Sequence, residues 1–239
     1  MRMQERLNGT KPFLWIDEDP ARRQHLRSGE VVVLPLGKSS TTPVPRGLIH
    51  HWIGGVFIPG AQREELIAVM DYSSYDKIYR PTVIKAELLE SAGDEQKFSM
   101  LWVQRVLFVT VALYAQFDSN SIQLNSRQGY LTLPSTSVQQ IEHYGQSGER
   151  KLAPDEGSGY LWRVASFVRY EERDGGLYLE LEVIGLSRDL PASLRFLLRP
   201  VIDHVPRQAL SVKLEQTREA VRLQAAKRVT ALKVTAPEN

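Results

Sequence analysis

The sequence predicts an α+β fold in which an antiparallel meander of strands precedes one long helix. From residue 83 to residue 186 the chain consists of β-rich runs separated by turns and by a loop at 145–159, and the last two runs alternate apolar and polar positions, which is typical of antiparallel strands. The junction Asp174-Gly175-Gly176 is a strong hairpin signal. After residue 189 the apolar spacing changes to the period of a helix. A run of strands without intervening helices favours α+β over repeated βαβ units.

Composition excludes several classes of function. The chain has 239 residues, 42% of them hydrophobic and 24% charged, as in ordinary globular proteins. The net charge is only +2 and the charges are mixed along the chain, so no nucleic-acid partner is expected. Without cysteine there is no disulfide, thiol catalysis or cysteine-based zinc site. No apolar run is long enough to span a bilayer, so we expect a soluble chain, cytoplasmic unless a leader has been removed.

The chain divides into three expected regions. Residues 1–46 form an N-terminal extension with a short helix after Asp19-Pro20 and a short strand at 31–34, followed by a loop at 38–45. Residues 47–225 form the main domain, and 226–239 a tail. Within the domain, a first strand at 48–58 is followed by two short helices, at 61–70 and 72–79. The oligomeric state stays open.

Two neighbouring strands near the C-terminus predict how the sheet is covered. In the second of them, Leu177, Leu179, Leu181 and Val183 share one face, while Tyr178, Glu180 and Glu182 share the other. The strand before the hairpin alternates in the same way. This pattern indicates a sheet with one face toward the core and the other mainly toward water.

A first helical piece is expected before Pro200, and the main C-terminal helix is expected to begin at Pro206, because prolines inside a helix break or kink it. The side chains that share one stripe of this helix are Leu210, Leu214, Thr217 and Val221. Their spacing predicts that the stripe faces the sheet.

The segment Asp71 to Val83, which contains Tyr72, Tyr75 and Tyr79, resembles a D-Y-x-x-Y motif of the START-like (Bet v 1-like, SRPBCC) superfamily. This group includes polyketide cyclase/dehydrase-type and coenzyme Q-binding proteins. The segments Gly47 to Gly54 and Glu172 to Gly176 are similar to parts of bacterial START-like proteins, and the resemblance covers about residues 30–225. It implies a helix-grip fold, in which a curved antiparallel sheet wraps around the long C-terminal helix and a short helix pair follows the first strand.

The resemblance also implies an internal cavity that binds a hydrophobic small molecule, such as a lipid, isoprenoid or polyketide, without a cofactor. The candidate cavity residues are Trp102, Thr110, Trp162, Ser166, Tyr170, Leu179, Leu181, Leu210 and Leu214. The candidate gate residues are Tyr72, Tyr75, Tyr79, Pro200 and Pro206. Ser166, Thr110, Thr132 and Tyr170 are the polar groups expected to orient a ligand.

Other polar residues are interpreted as structural. His50 and His51 are adjacent on a strand and point to opposite faces, so no metal site is expected there. A pair between Arg163 and Glu180 is considered for catalysis, but an exposed pair contributes little. Asp189, Asp203 and His204 are also considered for catalysis, and a structural role is favoured for them. Gly54-Gly55 and Gly175-Gly176 are interpreted as turn or bulge glycines.

Three functions remain open. A carrier or sensor of a hydrophobic ligand is favoured. An enzyme of the cyclase/dehydrase or hydrolase kind would use the same cavity and needs a buried ionisable group there. A protein-interaction domain would show a contiguous exposed apolar patch. No known catalytic motif is present in the sequence, so binding is favoured over catalysis.

Overall fold

The computed structural model describes residues 2–37, 39–106, 109–158, 160–188 and 192–235. Its N-terminal third contains short elements and one long strand. They are α1 (Arg2–Leu7), a 3₁₀ turn (Trp15–Glu18), α2 (Pro20–Arg27), β1 (Val32–Pro35), β2 (Thr41–Val44), β3 (Gly47–Pro59), α3 (Arg63–Val69), a 3₁₀ turn (Tyr72–Ser74) and α4 (Tyr75–Ile78).

The rest of the chain is a strand meander followed by one helix. The elements are β4 (Val83–Ala92), β5 (Glu95–Val106), β6 (Val109–Gln123), β7 (Gln128–Glu142), β8 (Arg150–Lys151), β9 (Arg163–Arg173), β10 (Gly176–Arg188) and α5 (Ala192–Thr235). All pairings are antiparallel, in the order β1-β3-β10-β9-β7-β6-β5-β4, with β2 on β3 and β8 on β7. The predicted α+β helix-grip architecture is confirmed.

The β9–β10 hairpin turns where the sequence predicts it. Asp174 and Gly175 both have positive φ, 56° and 76°, as a tight two-residue hairpin turn requires. The carboxylate of Asp174 accepts a hydrogen bond of 2.9 Å from the Tyr178 hydroxyl, which holds the turn against β10. This register pairs Glu180 with Arg169 and Leu179 with Tyr170 across the hairpin.

One expected loop is a strand. β2 lies within the Ser-, Thr- and Pro-rich segment at 38–45 and pairs with the start of β3. Arg46, which has a φ of 64°, turns the chain directly from β2 into β3. A proline is tolerated on a strand at a sheet edge, where its missing N–H costs no ladder bond, so Pro43 does not prevent the pairing.

The C-terminal helix is longer at both ends than predicted. α5 begins at Ala192, runs through Pro200 and Pro206, and continues through 226–235, the segment expected as a tail. Proline holds φ near the helical value, so each proline removes one backbone hydrogen bond without ending the helix. The predicted stripe is confirmed, because Leu210, Leu214, Thr217 and Val221 are all buried.

Gly54 and Gly55 lie in the middle of β3 and are not turn or bulge glycines as predicted. A Cβ atom on Gly54 would lie 2.7 Å from Leu214 Cδ1 on α5. A Cβ atom on Gly55 would lie 3.1 Å from Leu26 Cδ2 and 3.3 Å from Ile16 Cγ2, on the other side of the sheet. These two glycines therefore let α5 and the N-terminal segment approach the same strand from opposite faces.

The alternation along β10 predicts that its second face is mainly toward water. This prediction is wrong, because other parts of the chain cover that face. Residues 13–27 pack on it as what we call the N-terminal cover. The buried apolar residues of this layer are Leu14, Trp15, Ile16 and Leu26 from the cover, with Ile53, Phe57 and Tyr178 from β3 and β10. Alternation along a strand shows that its two faces differ in polarity, but it does not show what packs on each face. The N-terminal cover lies more than 140 residues before β10 in the chain.

A buried ion-pair network fills the polar part of this interface. Arg169 Nε lies 3.1 Å from Glu180 Oε2, and Arg169 Nη1 lies 2.9 Å from Glu182 Oε2. Glu180 also accepts a 2.8 Å hydrogen bond from the backbone N–H of Ile16 in the N-terminal cover. His51 donates to Glu182 at 2.6 Å. The expected pair of Arg163 with Glu180 is therefore wrong: Glu180 binds Arg169 directly across the hairpin, and Arg163 binds the exposed Asp155.

Candidate functional site

The inner face of the sheet and α5 enclose the candidate site, which α3 and α4 close at one end. The space left between the packed side chains is a cavity of about 40 Å³. Its wall is mainly apolar. The residues that line it are Met70, Tyr75, Tyr79, Phe98, Met100, Phe117, Leu133, Ser166, Val168, Leu179, Leu181, Lys213, Leu214 and Thr217.

Stacked aromatic rings form one side of the cavity. Phe98 on β5 and Phe117 on β6 are cross-strand partners, and their ring centroids are 5.0 Å apart. Tyr72 stacks on the other side of Phe98 at 3.9 Å. Tyr75 meets both Tyr72 and Tyr79 edge to face. Such stacked and edge-to-face pairs prefer fixed relative orientations, so this side of the cavity is held by the sheet.

The three tyrosines of the motif attach α4 and the turn before it to their surroundings. The Tyr72 hydroxyl bonds Ser119 Oγ on β6, and Tyr79 bonds Thr217 Oγ1 on α5 at 3.0 Å. The Tyr75 hydroxyl donates to Met70 Sδ at 3.2 Å. Burial raises the pKa of Tyr79 to about 12 and raises that of Tyr75 as well. All three hydroxyls are therefore neutral hydrogen-bonding groups at physiological pH.

The sequence-predicted cavity residues fall into three groups. Ser166, Leu179, Leu181 and Leu214 line the cavity. Leu210 and Tyr170 are buried in the core without lining it. The remaining residues lie away from the cavity lining: Trp102 and Trp162, which are partly buried, the polar Thr132, also partly buried, and Thr110, which is exposed. Thr110 is next to the buried Val111, so strand alternation turns it to the opposite face.

The gate residues are also divided. Tyr75 and Tyr79 line the cavity, whereas Tyr72 stacks behind Phe98. Pro206 is partly buried on α5. The side chain of Pro200 lies outside the described residues, as do Asp189 and the side chain of Asp203. His204 is exposed at the described part of α5.

Lys213 is the cavity residue that sequence reasoning missed. It lies one position before Leu214, and it is three residues from Leu210 and four from Thr217. That spacing puts it on the same helical face as the buried stripe. The signal was therefore present in the helix period, but a lysine beside an apolar stripe is usually taken to reach water.

The ammonium nitrogen of Lys213 lies among aromatic rings. It is 4.9 Å from the ring centroid of Tyr79 and 5.6 Å from that of Tyr75. Within the described part of the chain, no carboxylate forms an ion pair with it. Burial lowers the pKa of Lys213 from 10.5 to about 8. No carboxylate among the residues that the structure describes offsets the cost of burying the charged form of Lys213.

The two adjacent histidines have protein partners. His50 Nε2 lies 2.8 Å from Ser187 Oγ, and His51 binds Glu182 as described above. Among the residues that the structure describes, no group of His, Asp and Glu is placed to hold a metal ion. Over the same residues, no helix is both long and apolar enough to cross a membrane.

Neither a protein-family model nor a curated protein sequence matches the chain. Solved structures do. A STAR-related lipid transfer protein from Xanthomonas axonopodis is 12% identical, with a TM-score of 0.49 over 77% of this chain and 99% of that one. Human STARD10 is 8% identical, with a TM-score of 0.46 over 92% and 86%. The Zhui aromatase/cyclase from Streptomyces sp. R1128 is 14% identical, with a TM-score of 0.42 over 76% and 96%.

The likeness concerns the fold of the chain. It carries no argument about a ligand or a reaction, which has to come from the residues of the interior.

Proposed function

We propose that the chain binds a hydrophobic small molecule between the inner face of the sheet and α5, as a carrier or sensor. The observation that carries the proposal is the incompletely filled, apolar interior at the place where α5 crosses the sheet. Small-molecule sites are concave and mostly apolar, with a few polar groups that fix orientation. Ser166, Thr217 and Lys213 are such polar groups in this wall.

The size of the cavity sets a condition on binding. A space of about 40 Å³ accommodates little more than water, whereas small-molecule pockets span roughly 300–1,000 Å³. A ligand therefore enters only if lining side chains move apart. Met70 and Met100 suit such a rearrangement, because unbranched thioether side chains repack easily.

The contact between α4 and α5 is the least costly place for the interior to open. Two side-chain hydrogen bonds join the residues directly after α4 to α5: Tyr79 bonds Thr217, and Gln216 Nε2 donates to the backbone carbonyl of Arg80 at 2.7 Å. A net loss of about 1 kcal/mol is typical for one intramolecular hydrogen bond. α4 covers only Tyr75–Ile78, so its displacement would disturb little of the sheet. Short elements at the mouth of a site are where gating motions commonly occur.

The test is a titration with N-phenyl-1-naphthylamine, an uncharged fluorescent probe of apolar sites. Wild-type protein is expected to bind one probe molecule. Ser166→Phe places a ring in the cavity and should weaken binding at least about tenfold. Thr110→Phe is the matched control, since it adds the same ring to an exposed position of the sheet. Urea unfolding of both variants checks that they fold.

Absence of saturable probe binding by the wild-type protein would overturn the proposal. So would equal binding by Ser166→Phe and wild type. Native mass spectrometry of freshly purified protein provides an independent measurement, and a co-purifying apolar molecule at one per chain is the expected result.

A reaction of the cyclase/dehydrase or hydrolase kind is the second candidate. Lys213 favours it, because an ionisable side chain with a lowered pKa lines the cavity. A bound ligand that is recovered chemically unchanged after prolonged incubation would count for the carrier. Conversion of the ligand that Lys213→Met abolishes would count for the enzyme.

A further inference from the structure

Lys213 is the charged member of the described cavity wall. The other polar groups there are the neutral side chains of Ser166, Thr217, Tyr75 and Tyr79. The wall opposite α5 is formed by the apolar strand residues Leu133, Val168, Leu179 and Leu181. The cavity thus has the Lys213 ammonium on the side of α5 and an apolar surface on the side of the sheet.

The positive charge has partial compensation only. The faces of Tyr75 and Tyr79 attract a cation at these distances. The nearest acid along the helix, Glu215, is engaged with Arg218. Lys213 is partly exposed, and no carboxylate among the described residues pairs with its ammonium. An anionic group on a ligand would therefore add a charge pair at this point of the wall.

We propose that Lys213 binds the carboxylate of an amphiphilic ligand whose apolar chain lies against β7, β9 and β10. This inference rests on the proposed function and specifies the chemical class of its ligand. The lysine is a single compact charge that pairs well with one monovalent anion. A phosphate group is usually held by several donors or by the planar fork of an arginine, and no arginine is among the described residues that line the cavity.

Proton binding is consistent with this role. Burial lowers the pKa of Lys213 to about 8, so the amine is still mainly protonated near pH 7. The titratable groups that face it are Tyr75 and Tyr79, whose raised pKa values keep them neutral. A bound carboxylate should raise the pKa of Lys213 again, because it stabilises the ammonium form.

The test compares cis-parinaric acid with its methyl ester, which has the same chain without the negative charge. Wild-type protein should bind the acid at least about tenfold more tightly than the ester at pH 7. Lys213→Met should remove this preference, so that the acid and the ester bind with similar affinity. Lys213→Arg, which keeps the charge, should retain most of the preference. Lys227→Met is the matched control, because Lys227 is an exposed lysine on the same helix.

Equal affinity of the wild-type protein for acid and ester would overturn the inference, as would an undiminished preference in Lys213→Met. Binding of the uncharged naphthylamine probe in the same preparations would then leave the proposed function intact. Loss of that probe's binding as well would reject both. If Lys213→Met does not fold, Lys213→Gln and the arginine variant supply the same comparison.

Discussion

The two faces of β9 and β10 are both buried, but they are built in opposite ways. On the inner face, Leu179 and Leu181 border a cavity beneath α5. On the outer face, Glu180 and Glu182 are paired with Arg169 and sealed by the N-terminal cover. The buried carboxylates of the outer interface are paired with Arg169. The inner interface has free space and an unpaired ammonium among its described residues.

The two faces differ in how their buried polar groups are paired. Buried charges are stable when each has a partner and further hydrogen bonds, which the outer network largely satisfies. Among the described residues no carboxylate pairs with Lys213. Under the proposed function, the inner face is therefore the place where polar contacts would be gained on binding. Variants that disturb one face and leave the other intact can test this contrast.

The largest effect is expected for Arg169→Ala. It leaves Glu180 and Glu182 buried without their cation, and removing one partner of a buried pair costs about 3–5 kcal/mol. Urea unfolding measures the change. Arg163→Ala removes an exposed pair with Asp155 and should cost less than about 1 kcal/mol. Similar losses for the two variants would contradict the account of the outer network.

Acid should weaken the outer face through Glu182. Burial by itself would raise the pKa of Glu182, but the hydrogen bond from His51 and the charge of Arg169 lower it to about 2. A lowered pKa contributes stability that is present above about pH 4.5 and is lost as pH falls through 2. Glu182→Gln should therefore cost about 3 kcal/mol at pH 7 and little near pH 2.

Glu180 acts in the opposite direction and is the control for this measurement. Burial raises its pKa, so its contribution favours folding below the unfolded value and is lost as pH rises. Glu180→Gln should make the acid-induced loss of stability steeper, whereas Glu182→Gln should make it shallower. Parallel curves for the two variants would reject the assignment.

Gly54→Ala tests the fit of α5 on the sheet. The added methyl group would meet Leu214 and Val33 at 2.7 and 2.9 Å, and overpacking of this kind costs about 1–3 kcal/mol. Gly185→Ala is the comparison, because its Cβ would meet only Leu161 Cδ1, at 3.2 Å. If thermal unfolding places the two variants at the same midpoint, the close approach of α5 is wrong.

The smallest effect is expected for Lys213→Met in the absence of ligand. The lowered pKa of Lys213 means that wild-type stability should rise as pH increases from about 8 toward 10, where the amine loses its proton. Because the residue is partly exposed, solvent screening reduces the gain to about 1 kcal/mol. The methionine variant should be flat over this range. A rise in the variant would show that another group is responsible.

Local patterns predicted the fold well because each depends on neighbours in sequence. Strand alternation, the Asp174-Gly175 turn and the α5 stripe all have that property. The cover over Glu180 was not predictable in this way, since alternation shows that two faces differ without showing what packs on them. The extent of α5 was missed because two prolines were given more weight than the rest of the helical sequence.

The candidate site was predictable in part. Ser166, Leu179, Leu181 and Leu214 follow from alternation and from the helical stripe, and all four border the cavity. Thr110 was assigned to the wrong face of its strand. Its neighbour Val111 is buried, and adjacent strand residues point to opposite faces. The role of Lys213 depends on the rings of Tyr75 and Tyr79, which reach it from a helix more than 130 residues earlier in the chain.

At Gly54 and Gly55, only the backbone of β3 separates α5 from the N-terminal cover. Leu214 rests on one side of that backbone, and Ile16 and Leu26 rest on the other. Close-packed protein interiors have low compressibility, so a displacement of one element is transmitted to the elements packed against it. Under the proposed function, a displacement of α5 by an entering ligand would therefore also displace the N-terminal cover on the other side of β3.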